Sequence, residues 1–141
     1  MAKTHDIRRW TLIVAGIPVT GFGEGDAFDL AFDSDDWDLT VGADGEGARS
    51  YLANRAGTLT ITLMATSLSN DAMNAARQLD AATGQGQFPC LLKNFNGTES
   101  WAAARAWVQA PAGVSVGGTV GTREWVIRSD EWVGANGGQP L

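Results

Sequence analysis

Residues 57–63 form the pattern that most constrains the fold, because apolar and polar side chains alternate there without a break. The apolar set is Leu59, Ile61 and Leu63, and the polar set is Thr58, Thr60 and Thr62. Successive side chains of a strand point to opposite faces, so this segment is predicted to be a strand with one buried and one wet face. A glycine-rich acidic turn at 42–47 precedes it. The oxygen-bearing side chains of Ser67–Asp71 follow it, as suits a helix N-terminus.

Most of the remaining chain also has strand and turn signals. Strands are predicted at 10–15 with a return at 17–20, at 49–54, at 88–95 and 98–108 around Asn96-Gly97, and at 122–133. The second arm of the Asn-Gly hairpin is assigned as strand although its alanines favour helix. One helix is predicted at 70–82, with an apolar stripe and a stop at Gly84. The residues of that stripe are Leu68, Met73, Ala76 and Leu79.

This order of elements predicts a mainly β fold, an antiparallel β-sandwich or barrel with one flanking α-helix. A length of 141 residues suits a single domain, 1–141, with a structured core at about 9–132 and terminal arms at 1–8 and 134–141. Six tryptophans are many for this length, and about two in three are expected in the core, with the others available to a subunit interface.

Acidic residues are concentrated between positions 24 and 46, which hold no Lys or Arg. Nine of the sixteen acidic residues lie there, at 24, 26, 29, 33, 35, 36, 38, 44 and 46. Residues 28–32 and 37–41 alternate in strand fashion, so the sequence predicts a hairpin with an acidic tip at Asp33–Asp36.

Several functional classes lack support in the sequence. A net charge of −6 opposes binding to nucleic-acid phosphates. One cysteine, Cys90, allows no internal disulfide or multi-thiolate metal site, and one histidine, His5, supports no catalytic set. The acidic loop lacks the glycine and glutamate of an EF-hand. We therefore expect no enzyme activity, no metal and no cofactor. With no apolar membrane span or N-terminal signal region, folding is expected in the cytoplasm.

Several motifs resemble a bacteriophage tail tube family, that of contractile-tailed phages. They are Val14–Phe22, Val41–Glu46, Arg49-Ser50, Gly57–Met64, Thr66-Ser67, Ser69–Asp71, Ala106-Trp107 and Arg123–Val126. Together they extend from about residue 9 to 132, and the central motif is the most specific.

The resemblance implies a β-sandwich-like or barrel-like unit, six copies of which form a ring with a continuous inner barrel. Stacked rings make the hollow tube through which DNA leaves the capsid without specific binding. The implied partners are the homo-hexamer, adjacent rings, the tail sheath protein and tube-end or baseplate proteins, with no membrane. The implied location is the virion tail, assembled in the host cytoplasm.

Two groups of residues are predicted to serve the assembly. The threonine face at Thr58, Thr60 and Thr62 is predicted to line the bore. The acidic hairpin is predicted to reach a neighbouring ring, with arginines at 49, 55 and 123 as its candidate partners. The predicted interface set is Asp33, Asp35, Asp36, Trp37, Asp38, Asp44, Glu46, Arg49, Arg55 and Arg123.

Two other interpretations remain open at this stage. The same tube architecture serves tailocins and type VI secretion-like machines, and the sequence does not separate these from a phage tail. A different class is a monomeric β-sandwich binding module whose acidic loop coordinates a divalent ion.

Overall fold

The computed structural model describes residues 2–139 of the chain. Positions 1, 140 and 141, at the ends of the predicted terminal arms, lie outside the described residues. A short 3-10 turn at Ile7–Arg9 precedes ten strands and one helix. In chain order these are β1 (Trp10–Val14), β2 (Ile17–Pro18), β3 (Phe28–Phe32), β4 (Trp37–Val41), β5 (Gly47–Tyr51), β6 (Gly57–Met64), α1 (Ser69–Thr83), β7 (Phe88–Asn94), β8 (Ser100–Ala110), β9 (Thr122–Ser129) and β10 (Val133–Ala135). The predicted class, mainly β and antiparallel with one helix, is confirmed.

Eight of the strands form one antiparallel sheet, in the order β2-β1-β7-β8-β9-β6-β3, with β10 paired to β8. The other two, β4 and β5, pair only with each other. Strands β2 and β3 are therefore the edges of the main sheet. The alternating strand β6 lies between β3 and β9, so both of its backbone edges are hydrogen-bonded.

The main sheet curls until aromatic side chains near its two ends touch, without backbone pairing between β1 and β3. Trp10 on β1 and Phe28 on β3 are separated by five strand steps, which span about 24 Å in a flat sheet. Their ring centroids are only 5.6 Å apart. Phe32 on β3 likewise contacts Trp101 on β8 at 4.9 Å. The curl encloses the core between β1-β7-β8 on one side and β9-β6-β3 on the other.

The core uses the alternation that the sequence displays. The side chains of Leu59, Ile61 and Leu63 are fully buried, whereas the threonines between them are half-buried on the opposite face. Burying each such side chain stabilises the fold by roughly 1.5–3 kcal/mol. Of the six tryptophans, four lie in the core or against it, namely Trp10, Trp101, Trp125 and Trp132.

Helix α1 occupies nearly the predicted range, and Gly84 ends it in a left-handed conformation with φ of 68°. Its predicted apolar stripe is only half correct. Met73 is buried and Ala76 packs on the core, but Leu68 and Leu79 are exposed. The helix is instead fixed at its N-terminus by polar contacts. Asn70 Oδ1 accepts a 2.9 Å hydrogen bond from Trp125 Nε1, and Ser69 Oγ accepts one of 3.0 Å from the Thr20 amide.

The predicted hairpin of residues 28–41 is wrong. Strand β3 pairs with β6, and β4 pairs with β5, so the acidic residues 33–36 link two sheets instead of turning a hairpin. The glycine-rich turn 42–46 connects β4 to β5. Alternation alone identified the strands but carried no information about which strand pairs with which.

Three further expectations needed adjustment. The segment at 49–54 contributes β5, which ends at Tyr51. The loop at Asn96-Gly97 is longer than a two-residue hairpin turn, because residues 95–99 connect β7 to β8. The Asn94 amide donates to the Glu99 carbonyl across it at 3.0 Å. The last predicted strand is interrupted after Ser129, and β10 pairs with β8 instead of extending β9. The Ala-rich segment that follows the loop is the strand β8, as predicted.

Candidate assembly interface

Strands β4 and β5 with their connecting turn form a two-stranded ribbon outside the main sheet, which we call the arm (residues 37–51). All ten of its strand residues are exposed. The turn is closed by hydrogen bonds from the Gly42 amide to the Glu46 carbonyl at 2.8 Å and from the Glu46 amide to Asp44 Oδ1 at 3.1 Å. Gly45 has φ of 89°, a conformation that glycine adopts readily. The tip of the arm therefore carries two carboxylates on an ordered turn.

One face of the arm is apolar and is left uncovered by the other residues in the range 2–139. Trp37 is 47% exposed and Leu39 is 67% exposed, and Val41 and Tyr51 are similarly exposed on the same face. The rings of Trp37 and Tyr51 meet edge to face at 5.1 Å. The Arg49 guanidinium lies 4.1 Å from the Trp37 ring centroid. An ordered apolar face of this kind, left in water, is typical of a protein-protein contact.

Contacts within the chain hold the base of the arm. Arg55 Nη1 donates to Asp36 Oδ1 at 3.3 Å, and Arg55 Nη2 donates to the Tyr51 hydroxyl. The Leu52 amide donates to the Asp36 carbonyl at 2.8 Å. Arg55 and Asp36 were both predicted interface residues, and the structure brings them together in one chain. Arg55 is therefore paired with the carboxylate of Asp36 in the same chain.

The other predicted acidic residues fall into two groups. Asp33 lies outside the arm and pairs with Arg128, whose Nη1 donates to Asp33 Oδ1 at 3.2 Å. This hydrogen bond raises the pKa of Arg128. Asp35 and Asp38 are exposed, and Asp38 lies opposite Ser50 on the polar face of the arm. Among residues 2–139 neither carboxylate has a cation within salt-bridge distance.

The threonine face of β6 is flanked by charged residues in register. Thr60 lies opposite Asp29 of β3, and Thr62 lies opposite Glu124 of β9. With Glu24 and Asp26 they line a shallow depression of about 250 Å³. Thr58 differs, because its hydroxyl accepts a 2.8 Å hydrogen bond from Arg128. The face is thus polar and carries more carboxylates than cations.

Arg123, the last predicted interface residue, lies far from the arm. It is paired in register with Leu63, near the end of β6 opposite to the arm. Its Nη1 donates to the Ser115 carbonyl at 3.3 Å and to the Thr122 carbonyl at 3.0 Å. Within the described part of the chain no carboxylate lies within 4 Å of it. The structure therefore separates Arg123 from Asp33–Asp38 in one copy of the chain.

Beside the free edge of β3 runs an open groove of about 860 Å³. Aromatic side chains line it, including Trp10, Phe28 and Trp101. Its rim is acidic, with Glu24, Asp26, Asp29 and Glu99. The backbone of β3 is paired with β6 on one side only. This is an unfinished sheet edge next to an apolar groove.

None of the helices in the range 2–139 has the length and apolar character needed to cross a membrane. Within the same range, no group of three or more His, Cys, Asp or Glu side chains is arranged to hold a metal ion.

No protein-family model matches the sequence. The chain is similar to the structural protein ORF10 of Pseudomonas phage KPP10, with 28% identity over 122 residues that cover 85% of this chain and 70% of that protein.

Solved structures share the fold at low sequence identity. A chain in the cryo-EM structure of the anti-feeding prophage cap, a tube-terminating cap, superimposes with a TM-score of 0.58 at 13% identity and covers 96% of this chain and 94% of its own. A chain of the sheath/tube terminator of the PVC extracellular contractile injection system superimposes with a TM-score of 0.59 at 12% identity. The match covers 96% of this chain and 99% of that one. A chain of the sheath-tube complex of that system superimposes with a TM-score of 0.58 at 10% identity, and the match covers 92% of this chain and 90% of that one. The chain has a fold found in contractile injection systems. At this identity the superpositions establish that fold and nothing further.

Sequence reasoning missed part of the apolar face on this fold. It named Trp37 but omitted Leu39, Val41 and Tyr51. The alternation at 37–41 was the available signal. It was read as a strand of the acidic hairpin, and nothing in the sequence showed that its apolar side would stay uncovered.

Proposed function

We propose that this chain is a self-assembling structural protein that forms hexameric rings stacked into a hollow tail tube for DNA passage. The observation that carries the proposal is the arm, whose apolar face at Trp37, Leu39, Val41 and Tyr51 is exposed in the single chain. The similarity to a phage structural protein and the shared fold support the same function.

An isolated two-stranded ribbon has at best marginal stability in water, so the arm gains order from a partner surface. The carboxylates of Asp38, Asp44 and Glu46 disfavour contact between two arms, because like charges repel. We therefore assign the arm to a different surface on a second copy. Contacts between unlike surfaces produce rings where the rotation closes and filaments where it does not.

The free edge of β3 supplies the lateral contact of the proposed ring. An exposed strand edge offers unpaired amides and carbonyls to another chain. Pairing with a neighbouring copy satisfies them and merges the sheets of successive subunits. The aromatic groove beside β3 lies where such a neighbour packs.

The threonine face is our proposed lining of the bore. Thr60 and Thr62 lie among Asp29, Glu124 and other carboxylates. A bore with this surface repels DNA phosphates, and the net charge of −6 has the same sign. The genome then slides through without being held.

The remaining partners follow from this arrangement. The outer side of α1, with Leu79 exposed, is the proposed contact for the tail sheath protein. The two ends of the tube meet tube-end and baseplate proteins. The proposed location is the virion tail, after assembly in the host cytoplasm.

Negative-stain electron microscopy of the purified protein tests the proposal directly. Rings about one subunit thick and tubes built from them are expected; particles that remain monomeric at high concentration contradict it. Asp35→Lys with Asp38→Lys is expected to leave folded subunits that do not form tubes. The single variant Asp38→Lys is compared with Asp71→Lys, which reverses one exposed carboxylate at the start of α1, beyond the end of β6 opposite to the arm, and is expected to assemble normally.

A tube terminator is a second candidate, favoured by the superpositions on terminator and cap assemblies. A terminator forms rings that do not extend, whereas a tube protein also forms long tubes, so the same micrographs separate the two. Tubes of a tailocin or a type VI-like machine share the proposed architecture. If the chain is instead a monomeric metal-binding module, the protein is expected to remain monomeric and to respond to a chelator.

A further inference from the structure

Between β8 and β9 lies an extended connection that we call the valine loop (residues 111–121). Val114, Val116 and Val120 are all exposed on it, Val116 by 84%. No charged residue occurs from position 109 to 122. Ala112 packs against the core, and the Gly121 carbonyl accepts a 2.9 Å hydrogen bond from the Ala65 amide. The loop is therefore anchored at both ends while its valines remain in water.

The valine loop and the arm lie at opposite ends of the same strands. Gly57 at the start of β6 pairs with Phe32, from which the chain leads into the arm. Met64 at the end of β6 pairs with Thr122, where the valine loop ends. The eight residues of β6 span roughly 25 Å. One copy thus presents an unpartnered apolar surface at each end of this axis.

We infer that the valine loop is the surface that receives the arm of the next copy along the tube. The inference rests on the proposed function and identifies the two surfaces that join one ring to the next. Trp37, Leu39 and Val41 of one copy pack on Val114, Val116 and Val120 of its neighbour. Each copy has one of each surface, so the contact repeats indefinitely along an axis.

Charge selects this pairing over the main alternative. The groove beside β3 is also apolar, but Glu24, Asp26, Asp29 and Glu99 border it. They repel the carboxylates of the arm at Asp38, Asp44 and Glu46. The valine loop itself carries no charge. One carboxylate, Glu24, lies beside its Val120 end, against four at the groove. The cation Arg123 also lies beside the loop, held by the Ser115 and Thr122 carbonyls without a carboxylate partner in the described residues. This end of the molecule therefore repels the acidic arm less than the groove does.

Cysteine cross-linking tests the contact. A chain with both Leu39→Cys and Val116→Cys is treated with a short bismaleimide after assembly and is analysed by denaturing gel. A ladder of covalent oligomers is expected, because each copy joins the next through two different positions. The control carries Leu39→Cys with Ile17→Cys, a position on the edge strand β2 that is 50% exposed. It is expected to give no ladder. The native Cys90 is buried and does not compete.

A second variant keeps the test independent of cross-linking geometry. Val116→Asp is expected to leave rings but to abolish their stacking, whereas Val133→Asp, also at an exposed valine, leaves tubes intact. Tubes of normal length from Val116→Asp, or equal ladders from the two cysteine pairs, overturn the inference while leaving the proposed function standing. Absence of rings and tubes from the unmodified protein overturns the proposed function itself.

Discussion

The guanidinium of Arg49 lies 4.1 Å from the ring centroid of Trp37, across the two strands of the arm. Leu39 is the residue paired with Arg49, so the cation rests within the apolar face and covers part of it. A cation over an indole ring contributes about 0.5–1 kcal/mol at an exposed site. This contact partly preorganises the arm in the single chain, which lowers the entropic cost of the order that it gains on assembly.

Trp37→Ala is expected to abolish assembly while leaving the isolated subunit almost as stable as the unmodified protein. The aromatic and cation-π contacts of Trp37 are with Tyr51 and Arg49, both in the arm. The substitution is therefore expected to leave the packing of the main core unchanged. The change in unfolding free energy is expected to be about 1 kcal/mol, the size of the ring and cation-π contacts that are lost within the arm. Denaturant unfolding and electron microscopy measure the two effects, and normal tubes from this variant contradict the role of the arm.

Trp132→Ala, in contrast, is expected to destabilise the folded subunit itself. Trp132 is 1% exposed, and its Nε1 donates to the Gly57 carbonyl at 3.1 Å. Trp132→Ala leaves a cavity and an unsatisfied carbonyl, and it is expected to cost about 3–5 kcal/mol of unfolding free energy. Urea titration checks the value. A loss below about 1 kcal/mol would show that the site is solvated in solution.

Labelling of assembled tubes tests which face lines the bore. Thr60→Cys places a thiol on the threonine face, and Gln78→Cys places one on the exposed side of α1. A small maleimide is expected to reach both sites in tubes, whereas a maleimide carried on a large protein is expected to label only Gln78→Cys. In disassembled subunits both variants should react with both reagents. Equal labelling of the two sites in tubes by the large reagent is incompatible with the proposed orientation.

Cys90 is expected to be unreactive in the folded protein. Burial raises the pKa of its thiol to about 12, and the thiolate is the reacting species. At pH 8 we expect slow labelling by a thiol reagent in buffer and rapid labelling in denaturant. The pKa of this thiol is higher in the folded than in the unfolded protein. The contribution of the thiol to the free energy of unfolding is therefore present below the ordinary thiol pKa and is lost as the pH rises toward 12. Rapid labelling in buffer would show that β7 opens readily.

The sequence by itself determined most of the local structure. The strict alternation at 57–63 specified which side of β6 is buried. In a strand between the core and water, the face with the apolar side chains lies against the core and the face with the polar side chains lies toward water. Gly84 marked the end of the helix, since a left-handed residue closes it. The choice of strand for the Ala-rich β8 was also correct, because an Asn-Gly loop after a strand requires a returning partner.

Only the tertiary structure decided how these elements are combined. Alternation is the same for a strand in either sheet, so Phe28–Phe32 and Trp37–Val41 looked like one hairpin although they pair with different strands. Helix periodicity placed Leu68 and Leu79 in a stripe with Met73, yet the curled sheet covers only the Met73 part of the helix. The arm and the valine loop became candidate surfaces for the same reason. Composition shows that an apolar residue is present, but only the tertiary packing shows that none of the described residues covers it.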